Sequence, residues 1–137
     1  MEKTRPNFTA KLNVSKPPEV KPVPKDGAGM KAGQMMLIAS PMIFDVAVRA
    51  IPKGKAIDVP TLRRQLAAAH GADVTCPLTS GIFLRIVTEA AHEAYAAGAP
   101  VGDVTPVWRV IDAKSPMVKK LTFDPTWIFD QRTREGI

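Results

Sequence analysis

A long stripe of apolar residues at helical spacing is the feature that most restricts how this chain can fold. The stripe consists of Ile82, Phe83, Ile86, Val87, Ala90, Ala91 and Ala94. Thr79 or Ser80 precedes it as a helix cap and Gly98-Ala99-Pro100 stops it, so the pattern predicts one helix over about residues 79–97. A helix of this length with one broad apolar face needs other elements packed against it, and we expect it to organise the core.

Three shorter helices are predicted from their capping residues. The first begins at Ser40-Pro41, because serine caps a helix and proline suits its first turn. The second begins after Asp58, and Gly71 ends it. The last follows Asp124-Pro125 and ends near Glu135-Gly136.

Strands are predicted where β-branched and aromatic residues cluster. Lys55-Ala56-Ile57 could form a very short strand, and Val107–Ile111 a longer one that pairs with Lys119–Thr122 as a hairpin. The order of elements predicts a mainly α fold with a small β-hairpin, of the winged helix-turn-helix type. In that fold the second helix of a pair enters the major groove of DNA.

The first 34 residues predict a flexible tail, which leaves residues 35–137 for the folded domain. Prolines alternate there with lysines, and proline favours extended chain over helix or sheet. The segment holds seven basic and three acidic residues, so it carries most of the net charge of +6. Two interpretations stay open: a solvated tail, or a basic arm attracted to phosphates.

The remaining composition limits the class of protein. A single cysteine, Cys76, excludes an internal disulfide and fits a reducing compartment. No apolar run reaches the roughly 20 residues of a membrane span, and the N-terminus lacks a signal peptide's apolar stretch, so we expect a cytoplasmic protein. His70 and His92 have no metal-ligand spacing, and no cofactor or metal is predicted.

Three blocks of the chain carry a family resemblance. Ile51-Pro52-Lys53-Gly54-Lys55-Ala56 is similar to a segment that reads Ile/Val-Pro-x-Gly-x-Val. Ala99-Pro100, then five residues, then Pro106 to Ile111 is similar to Asn-Pro, five residues, Pro-Cys-His-Arg-Val-Ile/Val. The final Arg134-Glu135-Gly136-Ile137 resembles a closing Glu-Gly-Val/Ile. These segments, in this order over residues 35–137, resemble the DNA-binding domain of alkylguanine-DNA alkyltransferases.

The resemblance implies DNA binding without the chemistry of that family. Val107 stands where the family has its acceptor cysteine, Trp108 where it has a histidine, and Val59 where a tyrosine helps to rotate the target nucleotide. Valine carries no nucleophile, so no catalytic residue is predicted. In alkyltransferase-like proteins a tryptophan replaces the acceptor cysteine, and such proteins bind alkylated guanine without repairing it. Here the tryptophan stands one position later.

Five residues are predicted to contact DNA: Arg85, Arg63, Arg64, Trp108 and Arg109. Arg85 is the nearest equivalent of the family's arginine that fills the gap left by a flipped base, and Trp108 could stack on that base. Arg63 and Arg64 could contact phosphates. Other roles stay open: Arg85 could pair with Glu89 four residues later, Trp108 could be a core residue, and Arg109 could support the site structurally.

The sequence therefore predicts a non-catalytic DNA-binding protein that senses alkylated or damaged bases. One alternative is a protein-interaction or structural module that kept the fold without DNA binding. Another is an alkyl acceptor that uses Cys76, which lies just before a helix N-terminus where a thiolate is favoured.

Overall fold

The computed structural model describes residues 7–14 and 16–137. The fold is mixed α/β, about half helical, with a small three-stranded sheet. In chain order the elements are α1 (Phe8–Leu12), β1 (Glu19–Pro22), β2 (Met35–Ile38), α2 (Pro41–Arg49), α3 (Val59–Ala69), β3 (Val74–Thr75), α4 (Pro77–Ala96) and α5 (Thr126–Glu135). Three short 3-10 helices, at Val101–Asp103, Val107–Arg109 and Pro116–Lys120, join α4 to α5.

Helix α4 lies at the centre of the molecule, but the predicted apolar stripe is only partly buried: Val87, Ala90 and Ala91 are at most 4% exposed, whereas Ile82 is 52% exposed. The helix begins at Pro77, two residues before the predicted start, because proline is favoured in the first turn of a helix. Leu84 and Val87 on its inner face are at most 1% exposed. Both α1 and α2 pack against α4, so one helix holds together parts of the chain that are far apart in sequence.

The predicted starts of α2 and α3 are confirmed by their caps, whereas Thr79 and Ser80 lie within α4 and neither caps it. The Ser40 side chain accepts a hydrogen bond from the Ile43 backbone N–H at the start of α2. The Asp58 carboxylate accepts from the Thr61 backbone N–H at 2.8 Å at the start of α3. Each bond satisfies a backbone donor that has no partner within its own helix. Gly136 ends α5 with φ of 76°, a left-handed conformation that glycine adopts readily.

The sheet joins segments from both sides of the predicted domain boundary. Strand β1 pairs antiparallel with β2, with Glu19 opposite Ile38, and β2 pairs parallel with β3, with Leu37 opposite Thr75. Central strand β2 carries the fully buried Leu37, whereas all four residues of edge strand β1 are exposed.

The prediction that residues 1–34 form a flexible tail without regular structure is wrong for the described residues of that segment. Phe8 on α1 is only 6% exposed. The Glu93 carboxylate of α4 accepts hydrogen bonds from the backbone N–H groups of Phe8 at 2.8 Å and Thr9 at 3.0 Å. Val23, just after β1, is 4% exposed and packs with Met36. Burial of these few apolar side chains outweighs the preference of the flanking prolines for isolated extended chain. Residues 1–6 and 15 lie outside the described residues.

The predicted β-hairpin is also wrong, and residues 55–57 form no strand. Residues 107–109 form a 3-10 turn after Pro106. The first two residues of the proposed partner strand, Lys119 and Lys120, end another 3-10 helix at Pro116–Lys120, and the other two form no strand. Val107, Trp108, Val110 and Ile111 are all at most 4% exposed. Their β-branched and aromatic side chains fit a buried irregular segment as well as a strand, because strand propensity largely measures burial and packing.

Candidate functional site

The carboxylate of Glu135, in the last turn of α5, is the centre of the candidate site. Its Oε1 atom accepts hydrogen bonds from the Gly54 backbone N–H at 3.0 Å and from Arg109 Nε at 2.9 Å. Its Oε2 atom accepts from Trp108 Nε1 at 2.7 Å and from Arg109 Nη2 at 2.9 Å. Four donors therefore fill the lone-pair sites of one carboxylate. We name Gly54, Trp108, Arg109 and Glu135 the Glu135 cluster.

Arg109 links the cluster to a further segment of the chain. Its Nη1 atom donates to the Ile51 backbone carbonyl at 2.7 Å. The side chains of Arg109 and Glu135 are only 13% and 8% exposed. The hydrogen bonds from Arg109 lower the pKa of Glu135 from 4.5 to about 2, although burial acts in the opposite direction. The pair is therefore fully ionised at neutral pH, and it fixes residues 51–54 and 108–109 against the end of α5.

A cavity of about 360 Å³ opens beside this cluster. Its lining consists of Arg49, Lys53, Val101, Gly102, Val104, Pro106, Trp108, Arg109, Gln131, Arg134 and Glu135. Lys53 and Arg134 are exposed. The one acidic side chain among these described lining residues is Glu135, whose charge is already balanced by Arg109. The cavity, which we name the basic cavity, is therefore suited to an anionic ligand.

Arg49 is held at the edge of the basic cavity by a buried carboxylate. Its Nε atom lies 3.0 Å from Asp45 Oδ2, and Asp45 is 5% exposed. The other Asp45 oxygen accepts a hydrogen bond from the Thr105 hydroxyl. Arg49 Nη1 also donates to the Asp103 carbonyl at 3.3 Å. These bonds position a half-exposed guanidinium beside the segment that carries Pro106 and Val107.

Neither candidate acceptor position offers a reactive group to this cavity. Val107 is completely buried and its side chain has no nucleophilic atom. Cys76 is 8% exposed and packs in a small apolar cluster with Val23 and Met36. A thiol in that position is shielded from a macromolecular substrate.

The five residues predicted to contact DNA lie in three places. Trp108 and Arg109 are brought together in the Glu135 cluster, where Trp108 is 3% exposed. Arg63 and Arg64 of α3 line a different cavity, beside β3. Arg85 of α4 lies 3.7 Å from the Glu89 carboxylate and stacks over the Phe8 ring, with its guanidinium carbon 5.8 Å from the ring centre.

Sequence reasoning gave Glu135, Lys53, Arg49 and Arg134 no functional role. Lys53 and Glu135 stand inside segments of the family resemblance, but the spacing of those segments does not reveal that Glu135 binds Arg109. One signal could have shown it: Arg109 lies in an apolar stretch, and a buried guanidinium needs an anionic partner.

The described residues offer no metal site and no membrane span. Within residues 7–14 and 16–137, no group of three or more histidine, cysteine, aspartate or glutamate side chains could hold a metal ion. None of the helices over the same residues has both the length and the apolar character to cross a bilayer.

Comparison of the chain with protein-family models, with curated proteins and with solved structures gives no match.

Proposed function

We propose that this protein is a non-catalytic DNA-binding protein of the alkyltransferase-like type, which docks on duplex DNA through the rim of the basic cavity. The observation that carries the proposal is the convergence of three segments on Glu135. Residues 51–54, 108–109 and 135 come from the three blocks that resemble alkyltransferases, and hydrogen bonds join them at one place. Three unrelated similarities would have no reason to meet in space.

Helices α3 and α4 supply the helix pair of the proposed fold. They are joined by residues 70–76, which include β3. Neither helix lines the basic cavity, so the proposed docking surface does not use α4 as a groove-reading helix. The proposed fold keeps this helix pair, whereas residues 107–122 form no hairpin wing.

Charge and shape support DNA as the ligand. Arg49, Lys53 and Arg134 surround the basic cavity, and cationic groups at such a rim attract the phosphate backbone. A volume of about 360 Å³ lies in the range of cavities that take a small molecule or a single base. Extruding a base costs a few kcal/mol and is least costly for damaged bases, so a protein with this arrangement would favour lesions.

The proposal is for binding without transfer. Displacement at an alkyl carbon needs an activated nucleophile, and Val107 supplies none where the related family has its cysteine. The buried Cys76 packs between apolar side chains of the sheet region.

Fluorescence anisotropy with a labelled duplex, with and without one O6-alkylguanine, tests the proposal at about 50 mM salt, where phosphate contacts are strong. We expect binding to both duplexes and tighter binding to the alkylated one. Lys53→Gln and Arg134→Gln should each weaken binding and make the log–log salt slope shallower by about 1. Lys114→Gln is the matched control, because this exposed lysine lies outside the lining of the cavity. The absence of binding to either duplex would overturn the proposed function, and equal losses in all three variants would overturn the docking position.

A further inference from the structure

A second cavity, of about 420 Å³, lies along the first half of α4. Helix α1 forms one side and the 3-10 helix Pro116–Lys120 the other. Its lining consists of Phe8, Lys11, Pro77, Leu78, Gly81, Ile82, Arg85, Ile86, Pro116, Met117 and Lys120. It shares no residue with the basic cavity. We name it the α4 groove.

Large apolar side chains form the floor of the α4 groove. Leu78 is 74% exposed and Ile82 is 52% exposed, while Ile86 is half-buried. Their spacing of four residues places them in one line along α4, about 12 Å long at the rise of an α-helix. Met117 and the buried Phe8 extend the apolar surface on either side. Contiguous exposed apolar surface of this kind marks interaction sites, because a soluble protein gains nothing from leaving it in water.

The edges of the α4 groove are basic. Lys11 and Lys120 are exposed. Arg85 also lines the groove, and its guanidinium lies 3.7 Å from the Glu89 carboxylate. The Lys11 ammonium lies 4.8 Å from the centre of the Phe8 ring, so the ring fixes this charge at the edge. No aspartate or glutamate is among the described residues that line the groove. Any occupant therefore meets an apolar floor between positive charges.

We propose that the α4 groove binds an amphipathic helix of a partner protein, with large apolar residues on one face and acidic residues on its flanks. A helix lays apolar side chains at i, i+4 and i+8 into a groove whose floor has the same repeat. Acidic flanks complement Lys11 and Lys120, which speeds association and orients the helix. Duplex DNA would complement the basic edges of the groove but not its apolar floor. Its phosphates would lie against Leu78 and Ile82 and would lose their hydration there.

Two synthetic peptides of about 16 residues test this proposal against the full chain. Both form one-sided amphipathic helices with leucine at i, i+4, i+8 and i+11. The first has glutamate on its flanks and the second has lysine at the same positions. We expect isothermal titration calorimetry to show binding of the glutamate peptide, and binding of the lysine peptide about tenfold weaker or absent, as for reversal of rim charges.

Three variants locate the binding site. Leu78→Asp should lower the affinity for the glutamate peptide by about 30-fold, which is the loss typical of a central interface residue. Lys120→Glu should lower the affinity for the glutamate peptide and raise the affinity for the lysine peptide. Val46→Asp is the matched control, because Val46 on α2 is 60% exposed and lies outside the groove. It should leave both affinities unchanged. Thermal unfolding followed by circular dichroism verifies that Leu78→Asp, at a surface position, is folded.

Four results would overturn the proposal. The first is no binding of the glutamate peptide at millimolar concentration, and the second is equal binding of both peptides. The third is an equal loss of peptide affinity in Leu78→Asp and Val46→Asp. The fourth is displacement of the bound peptide by duplex DNA, both from the wild-type protein and from the Lys53→Gln variant. The last result would identify the α4 groove as a DNA surface. Because the two cavities share no residue, Lys53→Gln should leave peptide affinity unchanged, so failure of one proposal is distinguishable from failure of the other.

Discussion

Replacing Glu135 with glutamine tests whether the ionised carboxylate stabilises the fold. The substitution keeps the size of the side chain but replaces one acceptor oxygen with an NH₂ donor. Oε1 and Oε2 each accept two hydrogen bonds, so the amide nitrogen would face two donors whichever way it points. Arg109, only 13% exposed, would also lose its counter-ion. Removal of one partner from such a pair leaves a buried charge without compensation.

The lowered pKa of Glu135 gives the size of the effect. A carboxyl whose pKa falls from 4.5 to about 2 on folding stabilises the folded state by about 3 kcal/mol at pH 7. Because the folded-state pKa is the lower one, this contribution is fully present above about pH 4.5. It is lost progressively as the pH falls through the folded-state pKa of about 2, below which the carboxyl is protonated in both states.

Urea unfolding of wild type and Glu135→Gln at pH 7 and pH 3 measures this contribution. We expect wild type to be more stable by at least about 3 kcal/mol at pH 7, and the difference to shrink by about 2 kcal/mol at pH 3. Asp130→Asn is the matched control, since Asp130 is exposed on the same helix, and its effect should stay within about 0.5 kcal/mol. A difference below about 1 kcal/mol at pH 7, or one that does not change with pH, would refute the reasoning.

Three further predictions concern capping, packing and chemistry. Ser40→Ala should lower the free energy of unfolding by about 1 kcal/mol in urea titrations, because the serine oxygen caps the N–H of Ile43, and an unchanged value would contradict this. Leu84→Ala should lower the free energy of unfolding by about 3 kcal/mol, since this side chain is 1% exposed, whereas Leu78→Ala should lower it by less than about 0.5 kcal/mol. Equal losses in the two variants would contradict the packing of α4. Incubation with an oligonucleotide that carries O6-methylguanine should leave the intact protein mass unchanged, and a methyl adduct on Cys76 would contradict its shielded position.

The starts of α2 and α3 and the end of α5 were predictable because these ends are encoded locally, whereas α1 was missed. Ser40 and Asp58 cap helices from their own position in the chain, and Gly136 ends one with a conformation that few other residues adopt. The period of the α4 stripe likewise needs no knowledge of distant contacts. Such signals act within one or two turns of chain, and the structure agrees with them.

The sheet and the site were not predictable in the same way, because both depend on distant partners. Strand β1 contains Pro22 and pairs with residues 35–38. Taken alone, its sequence is typical of solvated extended chain, and nothing within it identifies residues 35–38 as its partner. Residues 107–111 have the composition of a strand, yet they form a mostly buried irregular segment that begins with a 3-10 turn. The structural role of Glu135 depends on hydrogen bonds from Gly54, Trp108 and Arg109, which are distant from it in sequence, so no local pattern around Glu135 predicts it.

The outer edge of β1 has a consequence for behaviour at high concentration. An edge strand with free backbone groups is a template on which a second molecule can add a strand, and such addition leads to fibres and precipitates. Here Pro22 supplies no backbone donor and Lys21 adds a charge, while Pro17 and Pro18 stand just before the strand. The same prolines that argue against a strand in the sequence therefore protect the finished sheet from growing between molecules.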